Sequence, residues 1–301
     1  GSQILRENIT YILNTLKSYV HEIENKKDIL HIFNSNFYLD SKKIENLPIG
    51  LFGDFYSHEL SFNLINTNDY KNLKNVFEKC NLKIKKILLK SFVQGSFLSE
   101  NKERADTFFY IKMNENNSKI FYFENNSLKF EQHFDFGESI ILKDISKIIS
   151  FNIDKVKIII NKIDFTNENI NGELLEEEFF NGENYRKIKK KLIYDISMAR
   201  IKEISELIIF KNINFLHYNK TPKKIYLELS SEKKFKSLNE IYKFAFSFNG
   251  FHEFRLLDSI SNEEILSTAF KLVHFGWKKE AIPVTQSKKS ILARFFEAIF
   301  G

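Results

Sequence analysis

The chain has 301 residues, 43% hydrophobic and 28% charged, and 45 basic against 39 acidic side chains leave a net charge of +6. That length suits two domains or one large subdivided one, and the balance excludes a disordered chain. A single cysteine, Cys80, excludes an internal disulfide framework and fits a reducing compartment, and no apolar run reaches transmembrane length.

"ENITYILNTLKSYVHEIE" predicts a helix with Ile9, Ile12, Leu13, Leu16, Val20 and Ile23 on one face. "DILHIF" predicts a short strand, and Pro48, Gly50 and Gly53 mark a turn region. "HELSFNLI" alternates as a strand. "NDYKNLKNVFEKC" predicts a helix capped by Asn68 or Asp69, with Leu73, Val76, Phe77 and Cys80 facing inward. "KIKKILL" returns as a strand, which closes an α+β unit. After a helical "SFVQGSFLSE", the segments "DTFFYIKM", "SKIFYF" and "SLKFEQHFDF" predict an antiparallel meander turned by "NENN" and "ENN". Helices follow in "GESIILKDISKII" and "DKVKIIINKI", and an acidic loop leads into a long helix, "YRKIKKKLIYDISMARIKEISELIIF". "KKIYLEL" predicts a core strand, "SLNEIYKFAF" a helix, "FRLLD" a strand and "NEEILSTAFKLVHFGW" an amphipathic helix. "KKEAIPVTQSKKS" has no period and contains Pro283, so it reads as a linker.

The end, "SKKSILARFFEAIFG", is the least expected part. On a helix of about 100° per residue, Ile291, Leu292, Phe295, Phe296, Ile299 and Phe300 share roughly half the circumference. Arg294 and Glu297 take the other half, Ser290 is an N-cap, and Lys288 and Lys289 stand before the first turn. Spanning a bilayer takes about 20 apolar residues, so this segment suits a helix lying in the interface of an anionic membrane. A terminal helix docked on the core is the other reading.

Catalytic chemistry finds little support. His21, His31, His58, His133, His217, His252 and His274 show no HxH or HxxxH spacing, so no metal site is expected. Glu176 to Glu178 read as a solvated face, and there is no GxSxG or Walker loop. Lysines are spread among the aromatics rather than striped, which argues against nucleic acid.

Five phrases in order resemble the FtsA family, the actin-like proteins that tie the bacterial division ring to the membrane. They are "ILHIFNSNFYLDSKKIENLPIGLFGDFYSHELSFNLI", "YKNLKNVFEKCNLKIKKILLKSFVQG", "IFYFENNSLKFEQHFDFGESIILKDI", "ARIKEISELI" and the amphipathic end after a linker. The resemblance implies an α/β, actin-like (ribonuclease H-like) fold with an inserted subdomain 1C and a C-terminal amphipathic helix. Residues 1–88 would form the 1C-like unit, 89–104 a helix returning to subdomain 1A, and 105–151 the first part of subdomain 2A. Residues 152–210 would form the 2B-like region and 211–260 the rest of 2A. A helix at 261–278 would return to 1A, followed by a linker at 279–289 and the membrane helix at 290–301. The family's first phosphate loop would lie before Gly1, so Gly1-Ser2 reads as an expression scar or a cut through a longer protein.

The family's second phosphate loop reads Asp-x-Gly-Gly-Gly-Thr. Here Lys112 stands in place of the Asp, and Asn114, Glu115 and Asn116 replace the glycines whose backbones close on phosphate. The later Thr-Gly-Gly becomes Glu228-Leu229-Ser230, and a nucleotide-facing Glu and Lys become Lys157 and Ile160. The family implies ATP and magnesium, but neither is expected here, and no catalytic residue is expected. The resemblance then implies a non-catalytic membrane tether and scaffold at the cytoplasmic face of the bacterial inner membrane, at the division site. Its partners would be the FtsZ C-terminal tail, other division proteins through 1C, anionic lipid and further copies of itself. Lys191, Arg200 and Lys202 are the residues expected to meet the FtsZ tail. Two other readings stay open: an active actin-fold ATPase of the division machinery, and a soluble protein-binding module whose last helix docks on its core.

Overall fold

The structure, a computed structural model, describes residues 1–102, 105–166, 168–215, 224–229, 235–248 and 251–281. The chain divides into two compact units, whose described residues fall in Gly1–Asp106 with Phe123–Lys129 and the stretch from Ile260 to Ala281, and in Thr107–Tyr122 with Phe130–Ser259. The first unit opens with β1 (Ser2–Gln3), α1 (Arg6–Ile23), β2 (Lys27–Leu39), β3 (Lys42–Ile44), β4 (Phe52–Gly53), β5 (Tyr56–Asn66), α2 (Thr67–Lys79) and α3 (Lys90–Phe97). β2 is the middle of a three-stranded sheet, antiparallel to β3 and to β5 along nearly all its length. Asp40 and Ser41, both at positive φ, make its two-residue turn into β3.

The second unit contributes β6 (Phe108–Met113), most of β7 (Ser118–Glu124) and of β8 (Ser127–Phe134), then α4 (Ser139–Ile149), α5 (Ile153–Lys162) and α6 (Lys190–Ser205). It continues through β9 (Lys224–Leu229), α7 (Asn239–Phe246) and β10 (Glu253–Leu257), and the chain returns to the first unit in α8 (Asn262–Phe275). The sheet order is β10-β9-β6-β7-β8, with β9 parallel to β6 and β10 parallel to β9. The links from β6 to β7 and from β7 to β8 are too short for a crossover, so those pairs are antiparallel. The second link is Asn125-Asn126, both left-handed at φ 49 and 62, as a two-residue hairpin requires. An antiparallel meander whose first strand is extended by two parallel strands is the ribonuclease H-like arrangement of actin-like proteins. The fold is α/β and actin-like.

Alternation along these strands divides their side chains between two faces. Phe109, Ile111 and Met113 of β6 and Ile225, Leu227 and Leu229 of β9 join Ile141, Ile145, Ile159, Ile201 and Phe246 of the helices in one core. Each fully buried large apolar side chain there contributes roughly 1.5–3 kcal/mol. In the first unit, α3 is buried from Ser91 to Phe97 and packs on α8, which starts at a capping box of Ser261 and Glu264. Phe92 meets Phe33 and Trp277 at ring distances of 4.7 and 5.9 Å.

Four expectations fail. The stripe Leu73, Val76, Phe77 and Cys80 of α2 does not face inward, since no residue of the helix is buried, and its N-cap is Asn66 rather than Asn68 or Asp69. "KIKKILL" forms no strand. The edge of β2 is taken instead by the chain beyond α8: Asn34 N–H donates to the Lys279 carbonyl and Ala281 N–H to that of Ile32, both at 2.7 Å. Lys279 to Ala281, expected to open a linker, therefore lie along β2, while residues 282–289 fall outside the described residues. Fourth, α6 begins only at Lys190, because Leu174 bridges Lys189 and Leu175 N–H donates to the Ile188 carbonyl at 2.8 Å. The acidic loop is ion-paired as well, with Glu173 and Glu176 on Lys190 and Glu178 on Lys162.

The first unit carries a polar seam on β2 and β5. His31 Nδ1 donates to Glu280 at 3.1 Å, and Lys86 reaches the other oxygen at 2.7 Å. Burial works to raise the Glu280 carboxyl, but these two partners hold it below the usual range. His58 donates to Asn34 Oδ1 at 2.8 Å, and burial pushes its imidazole down to about 4. An unfolded chain takes up that proton near pH 6.5, and the folded one only near 4. His58 therefore makes stability fall as pH drops from about 6.5 towards 4. In thermal melts across that window, His58→Gln is expected to flatten the slope, and an unchanged slope would assign it to other groups.

Candidate functional site

The face of the central sheet turned away from the helical core holds Lys112 and Glu228, the residues that the sequence resemblance aligned with nucleotide motifs. Tyr110 and Lys112 alternate out of β6 on this face, directly opposite Tyr226 and Glu228 of β9. Lys112 Nζ pairs with Glu228 Oε1 at 2.8 Å, and the Tyr110 hydroxyl donates to Oε2 of the same carboxylate. Glu228 is 1% exposed and Lys112 is 27% exposed at the side chain. Burial, then the Glu228 charge, raises the Tyr110 hydroxyl well above its ordinary value, so it stays a donor. Phe121 stacks on Tyr110 at 5.5 Å and Phe108 meets Tyr226 edge-on at 5.3 Å. The two departures read separately from the sequence are thus one interaction, Lys112 with Glu228.

The "NENN" loop is equally self-satisfied. Asn114 N–H donates to the Asn117 carbonyl at 2.8 Å, and the two side chains bond at 2.6 Å. The N–H groups of Glu138 and Ser139, at the start of α4, donate to the carbonyls of Asn114 and Glu115 at 3.0 and 2.8 Å. Ser139 Oγ donates to Asn116 Oδ1 at 2.9 Å. This closure needs Gly137, where a Cβ would stand 2.0 Å from the Asn114 carbonyl oxygen. A phosphate cradle needs free N–H donors at a loop or helix start, and here those named are bonded within the protein. Ile160 is fully buried in the core, and Lys157 makes an exposed ion pair with Asp154 at 3.7 Å. Ser230 lies outside the described residues. These residues do not fit ATP with magnesium. Among the described residues no cluster of His, Cys, Asp or Glu is placed for a metal ion.

No family model matches the sequence. No curated protein matches it either. Solved structures similar to it include the PilM–PilN type IV pilus biogenesis complex, at 8% identity and TM-score 0.45, over 89% of this chain and 73% of that one. MreB5 of Spiroplasma citri bound to AMPPNP is similar at 12% identity and TM-score 0.42, over 69% and 65%. The ethanolamine utilization protein EutJ from Carboxydothermus hydrogenoformans is similar at 9% identity and TM-score 0.38, over 64% and 57%. The chain spans less than two thirds of the MreB5 and EutJ chains. At these scores no chemistry transfers, and the actin-like fold rests on the strand order.

The residues expected to meet an FtsZ tail lie on α6. Lys191 pairs with Asp195, and Arg200 with Asp144 and Glu203. A groove of about 380 Å³ beside Arg200 is lined by three carboxylates, those of Asp144, Asp195 and Glu203. Both cations thus have acidic neighbours. Lys202 is exposed and makes no ion pair among the described residues, though it helps lower the Glu206 carboxyl after Lys211. The membrane residues Lys288, Lys289, Ile291, Leu292, Arg294, Phe295, Phe296, Ile299 and Phe300 lie outside the described residues. Sequence reading missed Tyr110. Its signal was there: "YIK" in β6 and "YLE" in β9 each place a tyrosine two residues before a charge, basic in one strand and acidic in the other.

Proposed function

We propose that this chain is a non-catalytic, actin-like scaffold that works without nucleotide and tethers the bacterial division ring to the membrane. The observation that carries the first half is the closed Lys112–Glu228–Tyr110 network beside a loop bonded to its own helix start. A carboxylate already paired with Lys112 and amides already bonded within the protein leave no free donors among these groups for the phosphates that an actin-fold ATPase must hold. The second half is supported by the FtsA-like phrases and the amphipathic end. In this reading the protein sits on the cytoplasmic face of the inner membrane, binds the FtsZ tail and associates with copies of itself. Lys202, rather than the paired Lys191 and Arg200, supplies the cation for the acidic tail.

Recruitment of fluorescent FtsZ to anionic vesicles is the test. The chain should recruit it equally with and without ATP, and Lys202→Glu should weaken recruitment severalfold. Recruitment that requires ATP would favour the ATPase reading, and none under either condition would remove the division-ring partner.

A further inference from the structure

The unburied face of α2 is the strongest feature that the tether reading does not use. At about 100° per residue, Tyr70, Leu73, Val76, Phe77 and Cys80 fall within an arc of roughly 120°. No residue of this helix is buried, and Val76 is 60%, Phe77 39%, Leu73 38% and the following Leu82 56% exposed. Asp69 opens the stripe and is held by Asn66 Nδ2 at 3.2 Å.

Charge decides what this face fits. From Asp69 to Lys90 there are seven lysines and only two carboxylates, in a chain whose whole net charge is +6. Lys74 pairs with Glu78 and Lys86 with Glu280. Lys71, Lys79, Lys83, Lys85 and Lys90 make no ion pair among the described residues. Protein–protein interfaces are depleted in lysine, whereas helices lying in a membrane interface carry lysine opposite an open apolar stripe. We infer that α2, with the lysine-rich segment after it, is a second membrane contact, laid in the plane of an anionic lipid surface. It does not depend on residues 288–301. Two contacts on one chain bind more tightly than either alone by raising the effective concentration of the second.

Cys80, the chain's one cysteine, stands on the stripe and is exposed, so an environment-sensitive dye on it reports the contact. The full chain carrying Phe295→Glu and Phe296→Glu would be labelled there and mixed with vesicles of phosphatidylcholine, with or without half phosphatidylglycerol. Emission should rise severalfold with the anionic vesicles, fall back in high salt, and stay flat with phosphatidylcholine alone. Val76→Asp with Lys83→Glu should abolish the rise while leaving the melting point unchanged, since both side chains are exposed. No rise on anionic vesicles overturns the inference. So does an equal rise with polyglutamate alone, which marks an acidic protein partner. A dimer that dissociates on Val76→Asp while vesicle binding persists assigns the face to a second copy and overturns it as well.

Discussion

Replacing Lys112 with methionine is expected to lower folding stability by about 3 kcal/mol, the low end of what breaking a buried ion pair costs. Glu228 is 1% exposed, and without Lys112 its carboxylate keeps only the Tyr110 hydroxyl of the two side-chain partners named here. The lysine's own 27% exposure places the effect at that low end, because solvent already screens part of the attraction. Glu228→Leu should cost less, about 1–3 kcal/mol, since the ammonium can turn towards water and only the Tyr110 hydroxyl loses its acceptor. Lys112→Met combined with Glu228→Leu should recover most of the loss, because an apolar pair of similar volume often replaces a buried ion pair at little cost. Urea unfolding of the four proteins measures the coupling directly. Strict additivity would mean that the two residues are not one unit and would weaken the argument built on them.

The other large effect concerns the end of the chain. Phe295→Glu with Phe296→Glu should abolish co-sedimentation through that segment while leaving the melting temperature nearly unchanged. Full burial of each large apolar side chain contributes roughly 1.5–3 kcal/mol. On the tether reading, six such side chains, partly immersed and offset by the cost of ordering the helix, would still leave several kcal/mol for binding. Lys288, Lys289 and Arg294 would each add up to about 1 kcal/mol on an anionic leaflet, partly cancelled by Glu297. If the double variant instead unfolds the body, the segment belongs to the core and the tether reading fails.

The parts of the fold legible in the sequence are those whose structure is locally determined. Asn125 and Asn126 tolerate the left-handed backbone of a hairpin, and Ser261 with Glu264 closes a capping box, so β7, β8 and α8 follow from neighbouring residues. What depended on distant partners was not legible. The pattern of α2 reveals an apolar stripe but not that it stays uncovered, and "KIKKILL" has a strand's composition without an edge to join. That edge goes to Lys279–Ala281, some two hundred residues away in the chain, roughly counted, which no local pattern can announce. At the site, Lys112 and Glu228 were each readable as a lost nucleotide residue. Their meeting was not, because it depends on the register between β6 and β9.

Calorimetric titration of the full chain with ATP and magnesium addresses the central claim most directly. Lys112, Glu228 and the bonded "NENN" loop predict no heat of binding up to millimolar nucleotide. Micromolar, magnesium-dependent binding would contradict the account, because it would require this network to open around the phosphates.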